Sequence, residues 1–171
     1  MLKLLGIACI VLGAGAVGFG CARRLRRQAQ QLADLQTALC LMKSELLCRM
    51  TPLPELLENA GKSVGSVVGR LFRRMAEQMR QDLYASPQAL FTQTLRELSS
   101  LNLPPQAEQA LLGLFLALGQ FDAEGQCRSI DLASARLREQ TEILEKSRIA
   151  QSRSYRTIGI CAGFAIAVIL L

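Results

Sequence analysis

Two short strings in this 171-residue chain carry side chains whose spacing could do chemistry. Gly61-Lys62-Ser63 has the ending of a phosphate-binding loop, in which backbone amides cradle phosphates and the lysine reaches them. The full pattern needs a glycine five residues before Gly61, and Leu56 stands there. Such a loop also follows a strand, whereas the preceding residues read as helix. The spacing therefore predicts a helix break at residues 61–63 rather than a nucleotide site. Asp122 and Glu124 set two carboxylates in the glycine-flanked turn 119–125. A calcium loop needs more oxygen ligands over a longer segment. Asp122 is expected to cap the helix that follows. Gln120, Asp122 and Glu124 remain a candidate contact for a partner.

Other reactive groups point away from catalysis. The chain has no histidine, so it holds neither a Ser–His or Cys–His nucleophile pair nor a histidine metal site. Its six cysteines, at 9, 21, 40, 48, 127 and 161, form no CxxC pair. They read as unpaired thiols in a reducing compartment. No catalytic residue, metal site, cofactor or small-molecule substrate is expected, and the chain reads as a non-enzyme.

The elements that position these strings are helices between two apolar ends. Residues 4–22 form an uncharged run followed at once by Arg23, Arg24, Arg26 and Arg27. A bilayer core of about 30 Å takes about 20 helical residues, so this run has the length of a span. Ala14 with Gly18, and Ala16 with Gly20, are small-xxx-small pairs suited to close helix contact in lipid. A cleaved signal peptide is the rival, with Lys3 as its basic start, but arginines directly after the run resist export. A lipoprotein site at Cys21 fails because Gly18 stands where a Leu-like residue belongs. Residues 158–171 form a second uncharged run, short for a full span. Arg153 and Arg156 precede it and could snorkel to the headgroups. Basic flanks on the inner side of both runs place the middle of the chain in the cytoplasm. Their position against the runs also favours membrane topology over nucleic acid as the meaning of the +6 net charge.

Between the runs, Leu, Ala, Gln, Glu and Arg dominate, a palette that favours helix. Leu32, Leu35, Leu39, Met42, Leu46 and Met50 step by three and four, so one apolar stripe covers residues 28–50. Thr51-Pro52-Leu53-Pro54 ends that helix, with Thr51 placed to cap the next. Leu53, Leu56, Leu57 and Ala60 share one face. A third helix is expected from Val64 through Met79, and Asp82 to Ala85 is a loop. Ser86-Pro87 reads as cap and first turn of a fourth helix carrying Leu90, Phe91, Thr94, Leu95 and Leu98. Residues 102–105 break the chain again. A fifth helix carries Ala107, Leu111, Leu114, Phe115 and Leu118. A long sixth helix carries Ile130, Ala133, Leu137, Thr141 and Leu144. The expectation is all-α: a cytoplasmic bundle of about six helices (residues 23–156) with N- and C-terminal transmembrane helices at residues 1–22 and 157–171.

This layout resembles the stage III sporulation protein AB family of endospore-forming bacteria over nearly the whole chain. The features that carry the likeness are the glycine-rich first run with Arg23-Arg24-Leu25, then Leu35-Gln36 and Ser44-Glu45-Leu46. They continue with Thr51-Pro52-Leu53-Pro54-Glu55-Leu56-Leu57, Leu118-Gly119-Gln120-Phe121-Asp122 with Gln126, and Tyr155-Arg156-Thr157-Ile158-Gly159. Phe121 departs from the small residue expected at that turn, and so do the cysteines of the first helix. The family's soluble part is similar to the cytoplasmic helical domain of type II secretion F proteins. The resemblance implies a membrane subunit of the mother-cell-to-forespore transenvelope complex. Its implied partners are a cytoplasmic secretion-type ATPase and the other stage III membrane subunits, and apart from the resemblance a homo-oligomer is a further candidate assembly. Thr51, Pro52, Leu53, Pro54 and Glu55 join Gln120, Asp122 and Glu124 as candidate docking residues. The alternative is a membrane-tethered helical adaptor or regulator outside sporulation.

Overall fold

The computed structural model describes the backbone of residues 2–49, 51–82, 84–98, 100–118 and 122–170, and the side chains of those between 23 and 147 other than Ala123. Six helices order the described residues: α1 (Leu2–Arg49), α2 (Leu53–Ser63), α3 (Val67–Gln81), α4 (Pro87–Glu97), α5 (Pro105–Ala117) and α6 (Ala123–Leu170). No strand occurs among them. The chain divides into two compact units. One combines Met1–Arg27 with Ile143–Leu171, and the other is Gln28–Glu142. Both uncharged runs belong to the first unit. The side chains of Ala14, Ala16, Gly18, Gly20, Arg153 and Arg156 lie outside the described residues. No helix among the described residues is long and apolar enough to cross a membrane. The two runs expected to do so fall outside the described side chains.

The unit Gln28–Glu142 is organised by the stripes. Leu32, Leu35, Leu39, Met42 and Leu46 on α1 are buried, as are Leu56, Leu57 and Ala60 on α2. Val68, Leu71, Phe72 and Met75 of α3, Leu90 and Phe91 of α4, and Leu111, Leu114 and Phe115 of α5 complete the same interior with Ile130, Ala133 and Leu137 of α6. Phe115 is the hub of an aromatic cluster. It stacks on Phe91 at 4.9 Å between ring centroids and meets Phe72 tilted at 6.3 Å. Such pairs stabilise by about 1 kcal/mol beyond the area they bury.

Polar groups are satisfied inside this interior. Thr94 is fully buried, and its hydroxyl donates to Gln78 Oε1 at 2.9 Å, tying α4 to α3. Gln31 is the other buried polar side chain, and it clamps the α4–α5 connection from α1. Its Nε2 donates to the Ser100 carbonyl at 3.1 Å, and its Oε1 accepts from the Asn102 amide at 3.0 Å.

Several local expectations are corrected. Residues 61–63 are not a break but the last turn of α2, and the break lies at residues 64–66. Glycine is required there by packing. A Cβ on Gly69 would fall 1.7 Å from the Val64 carbonyl oxygen and 2.6 Å from that of Gly61. One on Gly61 would fall 2.7 Å from Arg73 Cγ. The two glycines let α2 and α3 touch through their backbones at a tight turn. Val64 is buried but extended, and α3 starts after Ser66, whose side chain accepts from the Val68 amide at 3.2 Å. Thr51 does not cap α2. Pro52 takes the N-cap place with no side-chain hydrogen bond, and its carbonyl accepts from the Leu56 amide at 2.9 Å. The turn before α6 ends at Asp122, so Glu124 and Gly125 already belong to the helix.

Candidate partner-docking surface

Which end of the unit each connection occupies follows from the cross-helix bonds. Lys43 of α1 pairs with Asp131 of α6 at 2.7 Å, and Gln36 Nε2 donates to Thr141 Oγ1 at 3.2 Å. Partners on α6 fall in number as those on α1 rise, so the two helices run antiparallel. Continued at equal rise per residue, the pairing sets the start of α6 level with about residue 51. On α2, Asn59 Nδ2 donates to Glu45 Oε2 at 3.0 Å, so α2 turns back along α1. Arg80 near the end of α3 pairs with Glu58 of α2. Arg74 reaches Glu97 at 3.6 Å while Gln78 meets Thr94, so α4 returns along α3.

The consequence is that the described residues of three connections share one end of the unit: 51 and 52, 82 with 84–86, and 118 with 122. The Gln31 clamp holds the α4–α5 connection at the opposite end. Candidate residues far apart in sequence therefore lie at the same end of the unit. Pro52 and Glu55 are exposed at the α2 start, with Thr51, Leu53 and Pro54 half-buried behind them. Asp122 and Glu124 are exposed at the α6 start. Gln120 lies outside the described residues.

Each acidic candidate already has local work. Asp122 caps α6 as expected, its Oδ1 accepting from the Gly125 amide at 3.0 Å and its carbonyl from Gln126 at 2.9 Å. Glu124 pairs with Arg128 one turn on at 3.1 Å. Glu55 sits in the first turn of α2, where the helix dipole favours an acid. Behind this end, Glu58 accepts from Lys62 at 2.6 Å and from Arg80. Those two bonds, Lys62 foremost, hold its carboxyl down to about 2. The Lys43 ammonium is raised by its hydrogen bond to Asp131.

One residue at this end was not legible as a site. Tyr84 is 99% exposed in the α3–α4 loop, where its amide donates to Asp82 Oδ1 at 3.0 Å. It is one of two tyrosines in the chain. A fully solvated tyrosine is the kind of side chain that partner pockets take. The sequence read this segment as a plain loop, because nothing local distinguishes a tyrosine that packs from one that does not.

Among the described residues no group of His, Cys, Asp and Glu could hold a metal ion, and no buried side-chain polar atom lacks a hydrogen bond. Lys62 and Ser63, the phosphate-loop look-alike, are engaged within α2, Ser63 donating to the Ala60 carbonyl at 2.7 Å. Charge is also divided. Eleven basic residues against thirteen acidic leave Gln28–Glu142 slightly negative, while nine basic against one acidic fall in the other unit. The basic balance of the chain thus belongs entirely to the unit that carries the apolar runs.

Comparison with known proteins agrees with this architecture. The family model for stage III sporulation protein AB matches residues 3–171. Stage III sporulation protein AB of Bacillus subtilis (strain 168) is 25% identical over 172 residues, covering 100% of both chains. A solved structure titled Stage III sporulation protein AB superposes with a TM-score of 0.65 at 22% identity, covering 72% of this chain and 98% of that one. That structural likeness speaks for the fold.

Proposed function

The chain belongs to the stage III sporulation protein AB family, and on that premise we propose that it is a non-enzymatic platform subunit of the mother-cell-to-forespore transenvelope complex. In this reading the two apolar runs anchor it in the mother-cell membrane. The unit Gln28–Glu142 lies in the cytoplasm and receives a secretion-type ATPase, with the other stage III membrane subunits as neighbours.

The observation that carries the docking half of this reading is the gathering of three connections at one end, with Tyr84 fully exposed among them. An up-and-down helical unit presents its loops in two sets, and the set away from the Gln31 clamp holds Pro52, Glu55, Tyr84, Asp122 and Glu124. The resemblance of the family's soluble part to the type II secretion F-protein domain supports an ATPase as occupant. The anchoring half is supported by the two uncharged runs and by the placement of all surplus basic charge in their unit. An adaptor acting outside sporulation has less support, because the family match extends over residues 3–171.

Tyr84→Ala leaves every described buried contact in place, so it separates docking from folding. In sporulating cells the variant is expected at normal membrane levels, with the ATPase released from the membrane fraction. Unchanged ATPase retention together with normal spore formation would sink the docking assignment.

A further inference from the structure

We infer that the exposed arginines Arg23, Arg24, Arg26 and Arg27 bind anionic phospholipid headgroups. The inference rests on the membrane reading above and adds the lipid class that the anchor selects.

Four observations lead there. The unit formed by Met1–Arg27 and Ile143–Leu171 holds nine basic residues and a single acid, Glu145. Against that single acid the unit carries a surplus of eight basic charges. Seven of the nine are arginines, whose planar guanidinium binds phosphate oxygens in pairs rather than as a point charge. The four described arginines are all exposed, as is Lys146 on α6. They also stand directly at the end of the uncharged run 4–22, at the depth where headgroup phosphates lie if the run is in lipid.

Helix geometry favours lipid over a macromolecular partner. At about 100° per residue, positions 23, 24, 26 and 27 fan over about 160° of the α1 circumference, with half-buried Leu25 on the far side. A helix docked on a single protein face offers a stripe about 100° wide. Nucleic acid would meet a basic stripe running along a helix, and the α1 residues beyond Arg27 lose it: Gln28 to Met42 contain one charged residue, Asp34. A short, wide collar of arginine next to an apolar run matches a layer of small anions that surrounds the helix.

The test uses the full chain reconstituted in phosphatidylcholine vesicles, with or without phosphatidylglycerol, and reads the lipid in contact with the protein by spin-labelled or brominated lipid exchange. The expected preference for phosphatidylglycerol over phosphatidylcholine is about tenfold at low salt, falling as ionic strength rises. Arg24→Gln with Arg27→Gln should reduce it several-fold at unchanged helix content, and Arg24→Lys with Arg27→Lys should retain most of it. Equal association with both lipids, in a chain that stays in the bilayer, would overturn the inference and leave the membrane reading standing. Release of the chain from both vesicle types by alkaline wash would overturn both. Displacement from phosphatidylglycerol vesicles by duplex DNA would reassign the collar to nucleic acid.

Discussion

Gly61 and Gly69 face each other across the α2–α3 turn so closely that a Cβ on Gly69 would stand 2.6 Å from the Gly61 carbonyl oxygen and 1.7 Å from that of Val64. Both neighbours are backbone, which cannot swing away as a side chain could. Gly69→Ala therefore has to push α3 off α2 and disturb Leu71 and Phe72 behind it. The expected cost is more than about 2 kcal/mol, at or beyond the usual range for overpacking. A denaturant or thermal melt of the full chain in detergent, followed by helical circular dichroism, checks it.

Gly113 is the contrasting case. It lies inside α5 and is exposed, and a Cβ there would meet nothing within 4 Å. Glycine in a helix interior costs about 1 kcal/mol relative to alanine. Gly113→Ala should stabilise the chain by about 0.5–1 kcal/mol in the same melt. The opposite signs expected at Gly69 and Gly113 test the packing against helix propensity alone.

The Gln31 clamp gives a third expectation. Gln31→Leu keeps the apolar part of the side chain but removes its hydrogen bonds to the Asn102 amide and the Ser100 carbonyl. Because Gln31 is only 7% exposed while Ser100 is exposed, water can replace part of the loss. The cost is expected at about 1–2 kcal/mol. Faster amide exchange at Asn102 than at the α2–α3 turn would locate it.

Glu58 supplies a pH dependence. Lys62 and Arg80 lower its folded value from 4.5 to about 2. A depressed carboxylate contributes stability above its unfolded value and loses that contribution as pH falls through the folded one. The Glu58 contribution is thus full above about pH 4.5 and fades toward pH 2. The difference in melting temperature between the native chain and Glu58→Gln should be small, since the pair is solvent-screened, and should vanish toward pH 2. A difference that grows as pH falls would contradict the ion-pair geometry.

Much of this architecture was legible locally. The leucine stripes of α1, α4 and α5 found the core, the prolines at 52 and 87 marked helix starts, and Asp122 declared itself as a cap. Each of these signals lies within one turn of the residue it concerns. What was misread is non-local. Gly61 resembles a helix breaker until Gly69 is seen against it, and a glycine chosen for close approach has the same letter as one chosen for a turn. Thr51 has a capping side chain, but Pro52 takes the cap place one residue later. Gln31 and Tyr84 are ordinary residues in ordinary helix and loop, and only the fold makes one a clamp and leaves the other fully exposed.

The central claim, that the end bearing Tyr84 receives the ATPase, is tested most directly by a photo-crosslinking amino acid placed at Tyr84 in sporulating cells. Arg136, exposed on α6 well along from the shared end, serves as the comparison position. The account predicts an ATPase adduct from position 84 and little or none from position 136. An adduct from 136 with none from 84 would contradict it.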